Sequence, residues 1–131
     1  MSKLFRFILA ACVASVLGCA DPRSRAEATL RAVGAEALRK DAAVLYKQLF
    51  AGRGTDFIVV RASQRPASFK RFAPVRVGAY PDGLSLALSV DADSESGLYV
   101  VPLHMDHTPS GAAGAKFHKL ADGIYWYSFA D

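Results

Sequence analysis

The sequence predicts an α+β domain of two layers. One long N-terminal amphipathic helix, about residues 22–51, packs on a five- or six-strand antiparallel meander, about residues 57–129. Three observations predict it. Apolar residues recur at three- and four-residue spacing as far as Leu49, which is the period of a helix. Beyond Gly54 the period falls to two, that of a half-buried strand. Pro81-Asp82-Gly83 and Asp122-Gly123 each separate two apolar runs, and such residues make tight turns. Residues 19–131 are enough for a single small domain.

The helix has two candidate starts. In Asp21-Pro22, proline suits the first helical position; Ser24-Arg25-Ala26-Glu27 has the form of a capping box. Leu30, Val33, Ala37, Leu38, Leu45 and Leu49 share one face. Gly34 is the place for a break, and Gly52 and Gly54 end the pattern. Phe57-Ile58-Val59-Val60 is the first strand, short and β-branched. Pro66 to Pro74 reads as a short helix or loop. Val75 to Tyr80 and Leu84 to Val90 form a hairpin, with Leu84, Leu86, Leu88 and Val90 on one side of the second strand. Residues 91–97, DADSESG, read as an exposed acidic loop. Leu98 to Val101 is a strand ended by Pro102, residues 103–116 are irregular, and Phe117 to Leu120 with Ile124 to Phe129 make a closing hairpin. A helix over one sheet face completes the two layers.

The first twenty residues carry an address. Lys3 and Arg6 precede an apolar run, Phe7 to Leu17, that closes at Gly18-Cys19. A basic start, a short apolar centre and small residues at the end describe an export signal. The run is too short to span a bilayer, which takes about 20 apolar residues. Val16-Leu17-Gly18-Cys19 resembles the lipobox of bacterial lipoproteins, with Val16 and Leu17 in place of the usual leucine and smaller residue. The resemblance covers only this opening segment. It implies a signal peptide over residues 1–18, cleavage before Cys19, a diacylglyceryl thioether on its sulfur and an acylated amino terminus. A palmitate-type anchor of two or more chains holds a protein stably, since each buried CH₂ contributes about 0.8 kcal/mol. Cys12 leaves with the signal, so lipidation of Cys19 consumes the last thiol and no disulfide can form. Ala20 after the cysteine points to the outer membrane, facing the periplasm.

Four residues form the one cluster with chemical potential: His104, Asp106, His107 and, further on, His118. Two histidines and a carboxylate can ligate a divalent metal and leave a position for water. Their spacing matches no metal signature, and in extended chain His104 and Asp106 share a side while His107 points away. Ser110 to Ala115 lacks the lysine and hydroxyl of a phosphate loop. Asp91, Asp93 and Glu95 lack the twelve-residue calcium pattern. Arg61, Arg65, Lys70, Arg71 and Arg76, interleaved with Phe69 and Phe72, make a basic stretch suited to an anionic surface, with the phenylalanines facing the core. Tyr125 and Tyr127, if they lie outward with Tyr99, make a binding face.

Charge divides along the chain. Ala20 to Arg76 carries twelve Lys and Arg against five Asp and Glu, a net +7; Val77 to Asp131 carries two against seven, a net −5. Export argues against nucleic acid as the partner of the basic half and favours an anionic membrane or polymer. Residues 120–129, LADGIYWYSF, are similar to small uncharacterised bacterial envelope proteins, and that likeness implies no activity. The expectation is a non-enzymatic, cofactor-free, lipid-anchored envelope protein: a binding or accessory module, or an inhibitor or immunity-type protein, meeting an envelope protein or anionic polymer. The alternative expectation is a small metal-dependent hydrolase built on His104, Asp106, His107 and His118.

Overall fold

A computed structural model describes residues 21–51, 56–109 and 114–130. The signal segment with Cys19, the Gly52–Gly54 stop and most of the Ser110–Ala115 loop lie outside these residues. The chain is an α+β domain with a six-stranded antiparallel sheet.

The helical stretch is two helices rather than one: α1 (Pro22–Val33) and α2 (Ala35–Phe50). Gly34 separates them at φ 90, a conformation that residues with a Cβ avoid, and its N–H caps α1 by donating to Leu30 O. At the start of α1 the Asp21 carboxylate accepts from Ser24 N–H at 2.8 Å, so Asp21 and not Ser24 is the cap. That bond holds the Asp21 carboxyl below the usual carboxylate range. Leu30, Leu38, Leu45 and Leu49 are buried as their spacing predicts, whereas Ala37 lies in solvent.

The strands are β1 (Ile58–Val60), β2 (Arg76–Tyr80), β3 (Gly83–Val90), β4 (Ser94–Val100), β5 (Lys116–Ala121) and β6 (Ile124–Ala130). A short helix, α3 (Ala67–Lys70), lies between β1 and β2. The spatial order is β1-β2-β3-β4-β6-β5, so only the first four strands form a meander. The expected full meander is corrected at its end: β6 inserts between β4 and β5. Its run Ile124-Tyr125-Trp126-Tyr127 is buried throughout, as a strand with neighbours on both sides and cover on both faces requires.

The acidic loop expected at 91–97 is shorter than predicted. Ser94 to Gly97 are already strand, all four paired with β6 and Glu95 to Gly97 also with β3. Neighbouring strands impose the extended form on residues of low β-propensity. A bulge between Ala87 and Ser89 places Val90 opposite Glu95 and leaves it exposed, off the core face where alternation had put it.

Register sorts the side chains. Ile58, Ala79, Leu84, Val100 and Ile124 form one cross-strand row, and Val60, Val77, Leu86, Leu98 and Trp126 another; both face the helices. With Leu38, Leu45, Phe69 and Phe72 they make the main core. The opposite face has a second, smaller cluster of Tyr99, Val101, Tyr125 and Tyr127, against which Met105 and Phe117 pack.

Arg39 joins the layers. Its side chain is 11% exposed, and its guanidinium donates to Val101 O at 2.8 Å, Pro102 O at 3.4 Å and Met105 O at 3.0 Å, while Leu103 N–H donates to Arg39 O. It also lies across Gly123 in the β5–β6 turn, where φ is 70 and any Cβ would collide with the guanidinium.

Candidate functional site

The sheet face turned away from the helices is the candidate binding surface. Along β3 before the bulge it offers Gly83, Ser85 and Ala87, flanked by Gly78 and Gly97. Strand alternation places these small residues on one side, and large rings lie down over them. A Cβ on Gly83 would strike the Tyr99 ring; one on Gly78 would strike Phe57. Tyr80 connects the two walls of this shallow floor, with ring centroids 4.9 Å from Phe57 and 6.3 Å from Tyr99. Phe117 meets Tyr99 edge-on at 5.3 Å.

Two polar groups are built into this aromatic layer. The Tyr99 hydroxyl donates to Asp82 Oδ1, and His107 Nε2 lies 2.6 Å from Asp82 O, so the residues after β4 are tied to the β2–β3 turn. At the other end of the face the Tyr127 hydroxyl donates to Glu95 Oε2 at 2.8 Å, and the buried Glu95 carboxylate pairs with Arg76. A buried carboxylate needs such partners. Tyr99, Tyr125 and Tyr127 all lie on this face but are buried in its packing, so their role there is structural and not that of an exposed binding face. Exposed apolar groups stand at both ends of the face: Phe57 at 48%, Val59 at 63% and Tyr80 at 37% at the β1 border, and Val90 and Phe129 beyond Glu95.

Burial pushes the Tyr99 hydroxyl far above its ordinary value near 10, reinforced by the bond to Asp82, and burial raises Tyr127 likewise. A raised folded value means that the neutral phenol is favoured in the fold. Its stabilisation is complete below pH 10 and is lost as pH rises beyond it. An alkaline titration followed by tyrosinate absorbance is therefore expected to show two of the five tyrosines ionising late, together with loss of the circular dichroism signal. All five ionising in one wave with the fold intact would contradict the packing described.

The four residues of the metal alternative stand on separate surfaces. His104 rests on the Tyr46 ring of α2 at 5.5 Å; His107 meets the β2–β3 turn; Asp106 is exposed; His118 faces the helix side of edge strand β5, opposite Trp126. Among the described residues no three His, Cys, Asp or Glu gather into a metal-holding group. The basic stretch is likewise divided. Arg65 Nη1 donates to Pro74 O, Arg76 serves Glu95, and Arg61, Lys70 and Arg71 are exposed, while Phe69 and Phe72 are buried in the core as expected.

Sequence reasoning missed Phe57, Tyr80, Asp82 and Arg76 as parts of one face. The signal was the even spacing of Tyr80, Gly78 and Arg76 along one strand opposite Gly83, Ser85 and Ala87 on the next. No protein-family model, no curated protein and no solved structure matches this chain.

Proposed function

We propose that the chain is a lipid-anchored protein of the bacterial cell envelope whose domain is a non-enzymatic binding module. It is held at the outer membrane through Cys19 and presents the helix-free sheet face to another envelope component. The observation that carries the binding reading is the unpaired apolar border of that face, Phe57, Val59 and Tyr80, beside an edge strand of only three residues. Exposed aromatic side chains next to packed ones are the composition of interfaces. The anchor is supported by the ordered signature of the first nineteen residues.

Both halves can be tested in one strain. Cys19→Ser is expected to leave the protein unprocessed or to release it from the membrane fraction; normal processing and retention would sink the anchor. Co-purification from detergent-solubilised membranes is expected to return a defined partner with the wild type. The Phe57→Ser/Tyr80→Ser double variant should lose that partner while its melting curve stays close to wild type. A partner held equally by both proteins moves the interface elsewhere.

A further inference from the structure

A second surface lies on the helix layer, beside the first turns of α1. There a pocket of about 290 Å³ is lined by Pro22, Arg25, Thr29, Arg71, Phe72 and Leu88. Arg25 comes from α1 and Arg71 from the end of α3, so two elements each contribute an arginine to the lining of one opening. No carboxylate lines the pocket, and among the described residues neither arginine enters an ion pair. Phe72 is buried and Leu88 half-buried beneath them, giving the opening an apolar floor.

Its place along the chain selects the ligand. Two residues, Ala20 and Asp21, separate Cys19 from Pro22 in the pocket wall, and the three Cα-to-Cα steps at about 3.3–3.6 Å each reach about 11 Å at most. A lipid on Cys19 would therefore bring the headgroup layer to the mouth of this pocket.

We infer that the pocket takes the phosphate of an anionic membrane phospholipid, clamped by Arg25 and Arg71; the inference rests on the lipid-anchor reading above. Guanidinium forks match phosphate geometry and donate bidentately to the phosphate oxygens. Phe72 and Leu88 offer apolar contact to the glycerol and first methylenes. A zwitterionic headgroup carries an ammonium that both arginines repel, so the site discriminates by charge. The tether supplies a high local concentration, so a weak site suffices to orient the domain. Docking through the helix layer leaves the opposite sheet face clear for a partner.

The test uses the acylated full chain in mixed micelles containing either phosphatidylglycerol or phosphatidylcholine at equal mole fraction. Native mass spectrometry reads the acyl mass on Cys19 and the retained phospholipid in the same spectrum. Retention of phosphatidylglycerol is expected to exceed that of phosphatidylcholine about tenfold. The Arg25→Gln/Arg71→Gln variant should fall to the phosphatidylcholine level with its acyl mass and melting temperature unchanged. Equal retention of the two lipids, or a preference that survives in the double variant, overturns the headgroup site and leaves the anchor standing. Inorganic phosphate held as well as phosphatidylglycerol would mark a free-anion site and overturn the lipid assignment. A chain with no acyl mass removes the anchor and this inference with it.

Discussion

Replacing Arg39 by methionine is expected to destabilise the domain by about 3–5 kcal/mol, a large share of the ~5–15 kcal/mol that holds small domains together. Methionine keeps the aliphatic stem and its packing, so the loss reports on the guanidinium. Three carbonyls, of Val101, Pro102 and Met105, lose their charged donor in a site largely closed to water. Hydrogen bonds to charged groups contribute about 1.5–3 kcal/mol each, and water replaces them only in part. Urea unfolding measures the effect directly, and the melting temperature should fall by roughly 15 °C. Asp122→Asn is the control. Its carboxylate stands 3.8 Å from Arg39 in an exposed turn, so its loss should leave the midpoint nearly unchanged. A midpoint equally unmoved by Arg39→Met would show that the chain after β4 does not depend on this clamp.

Gly97→Ala is expected to be at least as damaging. A Cβ there would sit 2.0 Å from Leu86 O and 2.9 Å from Leu86 C, both backbone atoms of the adjacent strand. No rotamer change relieves such a clash, so β3 and β4 would have to part near the bulge, where Gly97 pairs with Ala87. Overpacking alone costs about 1–3 kcal/mol, and broken ladder bonds add to it. Thermal melts and the yield of folded protein should both collapse. Gly34→Ala provides the contrast: nothing lies within 4 Å of its added Cβ, so its cost is the positive-φ backbone alone, about 1–3 kcal/mol. A Gly97→Ala protein as stable as Gly34→Ala would refute the close approach of the two strands.

These two residues also mark where the sequence is legible. Local patterns were readable: the alternation along Leu84-Leu86, the Pro81-Asp82-Gly83 turn, the Asp122-Gly123 turn and the buried leucines of the helices all lie where periodicity and turn chemistry put them. Non-local pairing was not. Ser94 to Gly97 have the composition of a loop and become strand because β3 and β6 flank them. Arg39 reads as one more surface cation until the segment after β4 folds back onto it. Gly97 carried a usable signal, since glycine inside a strand marks a bulge or close approach, but only once the residue is placed in a strand. The helix-free face is built from six strands, and its polar pairs, Tyr99 with Asp82 and Tyr127 with Glu95, join residues 17 and 32 positions apart. No short motif encodes such a surface, which is why the candidate site was the least readable part of the chain.

The insertion of β6 between β4 and β5 has a bearing on biogenesis. Among the described strands the last to leave the ribosome is an interior one. Until residues 124–130 emerge, β5 has no neighbour at all and β4 keeps a raw edge. Sheet completion therefore waits for residues 124–130, and a nascent chain lacking them cannot close the β4–β6–β5 end of the sheet.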